Sequence, residues 1–437
     1  MGRFCVTICG KKGKTMLKSI IRKEILNNLL SYKFSIIFVL SAILILVSIF
    51  VMYRDYCLAL DNYDILRKES SNRVEVIPPT PLSIFAKGLD ENLSRSWKLQ
   101  GVGVEISKKQ KSLNNLFKLF TAPDLLYVIK VILSLCAMLF TFDMVSGEKE
   151  TGTLRQSLSN SLKRPILIFG KWIGGFISFI LPFFIAVLLG TIFVTLSPMV
   201  DMNAEDWAKL GLFLLSSVIY LAVFFSLGLL ISCLTHRSST SLVISLFAWA
   251  ILVFLIPNLG NILASQLVRI PTAQQLELKH QQIMIRARFE YKRIPETQPD
   301  SKKLLKALEF RTIAEGDKLD EDYRNRFNSL VKVSQNITRI SPAASFTFLA
   351  TDIMGTGVAE ERRLKRAAQD YKDFGVQLYY KNMDEENEPE LPDFHYQRSS
   401  VKEVLGRGGL SNCLVLILLN VLFFTGAYVA FLRYDVR

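Results

Sequence analysis

The chain has 437 residues, of which 50% are apolar and 21% are charged, and its formal net charge is +14. Soluble domains average about 25% charged residues, whereas the apolar residues here fall into about six blocks of roughly 20, the length of a membrane-spanning helix. This composition excludes a soluble enzyme, a secreted disulfide scaffold and a disordered protein. The basic residues are too scattered to predict a nucleic-acid partner.

The N-terminal segment, residues 1–33, is basic and precedes the first apolar block at residues 34–53. That block is too long and too far into the chain to be the core of a cleaved signal peptide, so it predicts the first span. Glu24 is the only acid of the segment, which places the N-terminus in the cytoplasm. The bases that outnumber it are Arg3, Lys11, Lys12, Lys14, Lys18, Arg22, Lys23 and Lys33.

Five further apolar blocks predict the remaining spans. They cover residues 125–142, 172–196, 210–233, 242–256 and 410–432. Six spans return the tail, residues 433–437, to the cytoplasm, and the bases of the segment 143–171 then also lie inside. The predicted fold class is therefore an all-α polytopic membrane protein with six transmembrane helices and cytoplasmic N and C termini.

Two long segments, residues 54–124 and 258–409, are predicted to lie outside the cytoplasm. The first contains two strand-like stretches, 74–79 and 97–106, and the second has apolar residues at helical spacing. These patterns predict a mainly helical extracytoplasmic domain with a few strands. Its apolar stripes are interpreted as the core of that domain, or alternatively as a contact with an extracytoplasmic partner protein.

The segment 143–171 carries the strongest functional signal. Glu148 and Glu150 precede a predicted short helix over residues 151–162, where the helix dipole favours acids. Apolar residues recur at every fourth position and form one ridge, made of Leu154, Leu158 and Leu162. Pro165 predicts the end of the helix. Periodicity leaves two interpretations open: an interfacial helix lying on membrane lipid, or a docking element for a cytosolic partner.

The pattern S-G-E-K-E-x-G-T-L, followed by K-R-P and then G-K, resembles the coupling segment of ABC-2 type exporter permeases. The matched positions are Glu148, Gly152, Thr153, Leu154, Arg164 and Lys171. The resemblance implies that this segment docks on a separate ABC ATPase subunit. It also implies an interface helix at residues 16–30 before the first span, with residues 1–15 as an extension or as sequence before a true start at Met16. The tail FLRYDVR is similar to the final cytosolic turn of the family.

Two motifs in the predicted outer segments resemble a subgroup with enlarged outer domains, which includes permeases of gliding-motility and copper-enzyme-maturation systems. They are PPTPLSIFAKGLD in the first segment and SPAASFTFLATDIMGTG in the second. Residues 274–336 have no counterpart in this resemblance. It implies a multi-pass protein of the bacterial inner membrane.

No catalytic residue and no metal site is predicted in this chain. The stretch GKKGKT has Ile8 where a phosphate-binding loop needs its first glycine, and no nucleotide-binding fold fits before the first span. The resemblance therefore implies no cofactor here, with ATP and Mg bound by the partner ATPase. Six spans are half of the usual twelve, which implies a second permease copy, of the same or another chain.

Three polar residues inside the predicted spans are further candidate sites: Lys130, Asn412 and Asn420. An ionisable residue in a span is a functional candidate, although the Lys130 amine can also reach the outer interface. The asparagines can hydrogen-bond between helices. Gly170 and Gly174 form a small-xxx-small pair that predicts a close helix contact.

The main hypothesis is a membrane-spanning permease subunit that couples ATP hydrolysis by a separate ATPase to export or to outward mechanical force. The alternative is a non-transporting scaffold or signalling protein whose outer domain binds a partner. A membrane enzyme is a third class, for which the sequence offers no catalytic set. An ATPase gene beside this one favours the first hypothesis, and an isolated gene favours the alternative.

Overall fold

The computed structural model describes residues 2–69, 74–89, 96–100, 103–106, 123–159, 164–294, 301–381, 394 and 396–434. The described residues include six helices that are long and apolar enough to cross a membrane, which confirms the predicted number. They are Tyr32–Ile65, Leu125–Glu150, Arg164–Thr195, Ala204–Leu234, Ser238–Leu267 and Leu410–Arg433. Each is longer than its predicted block, and the second takes in the turn at residues 142–145 and the short helix that follows it.

The helices are numbered in chain order as follows. They are α1 (Gly2–Leu29), α2 (Tyr32–Glu69), α3 (residues 125–141), α4 (Ser146–Glu150), α5 (Thr153–Ser159), α6 (Arg164–Thr195), α7 (Ala204–Leu234), α8 (Ser238–Leu267), α9 (Ala273–Arg293), α10 (Ser301–Thr338), α11 (Pro342–Met354), α12 (Val358–Lys381) and α13 (Leu410–Arg433). Turns of π-helix interrupt α3 at Val128–Leu133 and α8 at Ile251–Leu255, and another, Leu405–Gly409, precedes α13. The chain divides into two compact units, residues 1–253 with 345–437, and residues 254–344.

Helices α3 and α7 form the centre of the first unit. Burial within the chain covers 67% and 72% of their most apolar windows, against 17% for α13. Aromatic rings fill the space beside α6, where Phe225 of α7 makes edge-to-face contacts with Trp172 and Phe176. The apolar side chains that α2 and α13 leave exposed are those expected of helices that face lipid.

Helix α1 packs closely along α6, and glycines permit the approach. A Cβ at Gly170 would lie 2.5 Å from Ile20, and one at Gly174 would lie 2.8 Å from the Glu24 Cβ and 3.1 Å from the Ile21 carbonyl. The close contact predicted from this glycine pair is therefore confirmed. The position of this contact determines which residues of α1 can reach α6.

A small antiparallel sheet follows α2. Its strands are β1 (Val74–Val76), β2 (Ser96–Gln100) and β3 (Gly103–Ile106), in the order β1-β2-β3. The first strand stops before Pro78 and Pro79, which have no amide hydrogen to donate to a sheet. The stretch 97–106, taken as one strand in the prediction, contains two paired strands instead.

The two motifs of the predicted outer segments lie against each other. Leu89 donates its backbone N–H to the Thr356 carbonyl at 2.8 Å, and the Thr356 hydroxyl donates to the Ala86 carbonyl at 3.0 Å. Arg398 donates to the carbonyls of Gly355 at 3.1 Å and Pro78 at 3.0 Å. Four bonds thus hold the loop after α11 on the short turn of helix Pro81–Ile84 and its flanks.

Glu360 on α12 is a buried acid that holds the segment before α13. It accepts hydrogen bonds from the Ser399 amide at 3.1 Å and from the Tyr396 hydroxyl at 2.7 Å, and Arg363 lies 3.6 Å away. Burial, together with the adjacent Glu360, raises the pKa of Tyr396, so the phenol stays protonated and donates.

The second unit is an antiparallel helical hairpin built from the end of α8, α9 and α10. Gly260 packs against Thr338 at one end, and His280 hydrogen-bonds Asp320 at 2.8 Å further along. Thr272 and Gln275 cap the start of α9 reciprocally. The predicted helical character of residues 258–409 is confirmed for the part of that range that is described.

Replacing Gly174 with valine tests the contact between α1 and α6. We expect a loss of about 1–3 kcal/mol from overpacking against Glu24 and Ile21, measured as a lower Tm of the purified protein in detergent. The matched control is Gly211→Val on α7, where no atom lies within 4 Å of the added Cβ. An equal loss of Tm in both variants would contradict the close contact.

Candidate coupling site

The segment that follows α3 forms two short helices rather than one. Helix α4 ends at Glu150, Gly152 adopts a positive φ of 75°, and α5 begins at Thr153. The predicted start of the helix at residue 151 is therefore wrong, because a left-handed glycine separates the two helices. Arg164 begins α6, so Pro165 occupies the first turn of the next helix, where proline is favoured.

Lys171 of α6 is shared between two carboxylates. Its amine lies 2.7 Å from Glu148 of α4 and 3.1 Å from Glu24 of α1, and only 3% of the lysine side chain is exposed. A buried cation needs such partners, because water no longer solvates it. One charged group thus ties together α1, α4 and α6.

Lys149, which follows Glu148 in the chain, binds the C-terminal end of α7. Its amine donates to the Thr235 carbonyl at 3.0 Å and to the Cys233 carbonyl, and it lies 4.8 Å from the centre of the Tyr434 ring. A cation at a helix C-terminus satisfies carbonyls that have no partner within the helix and complements the helix dipole.

Glu150, the third charged residue in the row, binds the N-terminal end of α8. Its carboxylate accepts the backbone N–H of Ser238 at 3.0 Å. An anion at a helix N-terminus is the electrostatic counterpart of the contact made by Lys149. Three consecutive residues therefore contact the ends or sides of α6, α7 and α8, and Lys171 extends the connection to α1.

Backbone and flanking groups reinforce this attachment. Ser232 of α7 accepts hydrogen bonds from the amides of Val145 and Ser146, both at 3.0 Å. Arg164 donates to the carbonyls of Leu432 at 2.7 Å and Tyr434 at 3.1 Å, which fixes the end of α13. The segment is thus bound at both of its ends to the ends of the surrounding helices.

Leu154 does not belong to an exposed ridge. It is fully buried in an apolar cluster of the same chain. The other buried members are Ile20, Val145, Leu167, Ile168, Leu229, Cys233, Ala427 and Phe431. The Leu158 side chain and Leu162 lie outside the described residues, so the rest of the predicted ridge stays a prediction. Leu154 itself contacts neither lipid nor a partner, because apolar packing within the chain turns it inward.

Among the described residues of the segment, those that are exposed are polar or glycine: Glu150, Thr151, Gly152, Thr153, Arg155 and Gln156. We name the last five of them the coupling tip. One oxygen of Glu148, Oε2, is buried without a hydrogen-bond partner among the described residues. A partner that approaches the tip would meet hydroxyl, guanidinium and amide groups.

The family model for ABC-2 family transporter proteins matches residues 18–436. The chain belongs to this family. It is therefore a multi-pass membrane protein and a permease subunit of an ABC transporter, a class that works with an ABC ATPase. A comparison with curated proteins finds no match.

The polar residues predicted inside the spans of this permease have different surroundings. Asn420 of α13 accepts from Ser226 at 2.6 Å, and Ser226 accepts from the Trp172 indole at 2.9 Å, so three span helices share one polar chain. The Lys130 amine lies 5.8 Å from the Tyr127 ring centre. Asn412 is buried, and its carbonyl oxygen has no partner among the described residues.

Sequence reasoning missed Glu24, Lys149, Glu150 and Ser232 as parts of the site. Glu24 did carry a signal, because it is the only acid in a flank of eight bases. No local pattern marks Lys149 and Glu150 as ligands of helix ends, since their partners lie 86 and 88 residues away.

Replacing Lys171 with methionine tests the shared ion pair. The change leaves Glu24 and Glu148 without their cation, and breaking a buried pair in this way costs about 3–5 kcal/mol. We expect a large fall in Tm of the purified permease. The charge-free variant Glu24→Gln/Lys171→Met/Glu148→Gln should recover most of the loss. A triple variant no more stable than the single one would contradict the pairing.

Proposed function

We propose that this permease is driven by a separate ATPase subunit that binds the coupling tip, and that residues 148–150 pass the movement of the tip to the span helices. The observation that carries the proposal is the row of three charges, Glu148, Lys149 and Glu150. Each of them binds a different set of helices next to an exposed polar surface.

Movement of the tip would displace the helices as a group. Lys171 connects it to α1 and α6, Lys149 to the end of α7, and Glu150 to the start of α8. Such rigid-body shifts of packed helices are a common form of conformational switching. Because the contacts are ionic or directed at helix ends, they resist sliding better than apolar contacts alone.

A path of contacts leads from α7 to the region proposed to lie outside the cytoplasm. Tyr220 of α7 stacks on Phe346 of α11 with ring centres 4.4 Å apart, and it donates to the Lys130 carbonyl at 2.7 Å. The loop after α11 is bonded to Ala86 and Leu89. Displacement of α7 would therefore reach both outer motifs, which fits export and also fits force transmission to an outer partner.

The chain itself is proposed to be no enzyme. ATP and Mg are proposed to bind to the partner ATPase. The permease would lie in the bacterial inner membrane with its coupling tip in the cytoplasm, where the ATPase binds it. The orientation rests on the bases that cluster at this end, including Lys33, Lys149, Arg164 and Lys171. A second permease copy would complete the usual twelve spans. We also propose, from the two outer motifs, that this permease belongs to the subgroup with an enlarged extracytoplasmic domain.

Replacing Thr153 with tryptophan tests the tip as the ATPase contact. We expect loss of co-purification with the partner ATPase, at an unchanged Tm, because Thr153 is exposed. The matched control is Thr195→Trp, an exposed threonine at the opposite end of α6. Leu154→Ala should instead lower stability by about 2–5 kcal/mol, since it removes a fully buried side chain.

Two outcomes would count against this proposal. One is ATPase association and stimulated ATP hydrolysis that survive both Thr153→Trp and Arg155→Glu. The other is a permease that purifies from its native membrane without any ATPase, which favours a scaffold or signalling role.

A further inference from the structure

Helix α9 has apolar residues on two opposite sides. One side faces α10, and its members are half-buried: Leu276, His280, Ile283, Ala287, Glu290 and Ile294 follow each other at alternating spacings of four and three. The other side repeats the same kind of spacing with Leu278, Gln282, Ile285 and Phe289, which we name the outward seam. A helix with two such seams is built to pack between two neighbours, but α10 covers only one of them.

The outward seam is exposed to an unusual degree for its residue types. Leu278, Ile285 and Phe289 expose 57%, 55% and 64% of their surface. Ile285 and Phe289 line a shallow open groove along the helix, together with Gln282, Arg286, Glu290 and Arg293. Aligned large apolar side chains of this kind mark interaction surfaces in soluble regions.

The flanks of the seam are basic. Arg286, Arg288, Lys292 and Arg293 are exposed beside it, whereas Glu277 is the exposed acid of the same helix. The Arg286 guanidinium lies 3.9 Å from the Glu315 carboxylate. Lys292 and Arg293 lie in the last turn of α9, where their charges complement the helix dipole. Arg288 takes part in neither the Glu315 contact nor the contact with the helix end, so its positive charge can meet an approaching partner.

The charges beside the seam favour an acidic protein segment as its partner. Three exposed bases, Arg288, Lys292 and Arg293, lie on its flanks. A second copy is disfavoured, because two identical seams would bring basic flanks together.

We infer that the outward seam of α9 binds an acidic amphipathic helix of another protein. The apolar side of that helix would lie in the groove over Ile285 and Phe289, as in helix-in-groove recognition. Its carboxylates would meet Arg288 and Lys292. The inference is independent of the coupling tip, since all of its residues belong to the helical hairpin.

A synthetic amphipathic helical peptide with leucines along one seam and glutamates on both flanks serves as the probe. The full-length permease is held in nanodiscs of neutral lipid, and binding of the labelled peptide is followed by fluorescence anisotropy. We expect Ile285→Asp or Phe289→Asp to weaken binding by at least about tenfold, about 1.4 kcal/mol. The matched control Met284→Asp should leave binding unchanged, because Met284 is 65% exposed on the adjacent side of the same helix.

Charge is tested separately from apolar contact. Arg288→Glu with Lys292→Glu should weaken the glutamate peptide, and a peptide with lysine flanks should not bind the unaltered permease. Equal binding of both peptides, or equal losses from Ile285→Asp and Met284→Asp, would overturn the inference. An unchanged Tm in each variant shows that the hairpin remains folded.

A photo-crosslinking amino acid at position 285, 289 or 284 then examines the permease in its own cells. The inference predicts an adduct with one discrete foreign polypeptide from positions 285 and 289, lost with Arg288→Glu/Lys292→Glu and absent from position 284. An adduct with a second copy of the permease, an adduct with lipid, or no adduct at all would overturn it.

Discussion

The ion pair that Lys171 forms with Glu24 and Glu148 is the constraint on which the attachment of the coupling segment depends. Burial makes the lysine costly unless both carboxylates stay in place, and its partners lie on different helices. The apolar cluster that includes Leu154, Ile20 and Ile168 joins the same segment to α1 and α6. By limiting the access of water, such packing strengthens the electrostatic contacts.

Attachment to helix ends explains why the neighbouring charges alternate in sign. Glu148 meets a lysine, Lys149 meets the carbonyls at a helix C-terminus, and Glu150 meets an amide at a helix N-terminus. Each sign matches the partial charge that it faces. In the proposed mechanism, the exposed tip and this charged row have different tasks, since the tip binds the ATPase and the row distributes its movement.

The sequence was sufficient for the spans because their length and apolarity are local properties. It was also sufficient for the contact at Gly170 and Gly174, where two small residues on one helical face indicate a close neighbour. It was insufficient for Leu154, because a ridge repeating every four residues reveals which residues share a face but not what that face meets. Glu24 lies 147 residues from Lys171, and no local pattern connects residues so far apart.

The same limit applies to the region predicted to lie outside the cytoplasm. Its two motifs were recognisable separately, but their contact through Thr356 depends on a bond between residues 270 positions apart. The double seam of α9 illustrates the opposite case. The alternating spacings of four and three residues can be read from the sequence. Only the structure distinguishes the seam covered by α10 from the seam that is left exposed.

The rigid attachment of the coupling tip is tested most directly by the distance between spin labels at positions 157 and 234, which lie on α5 beside the tip and at the exposed end of α7. The measurement uses the complex with the ATPase, with and without a non-hydrolysable ATP analogue. The account predicts one narrow distance that nucleotide does not alter, and a broad distribution when Glu148, Lys149 and Glu150 are replaced by Gln, Met and Gln. A nucleotide-dependent shift of this distance in the unaltered protein, or a distribution that stays narrow in the triple variant, would contradict it.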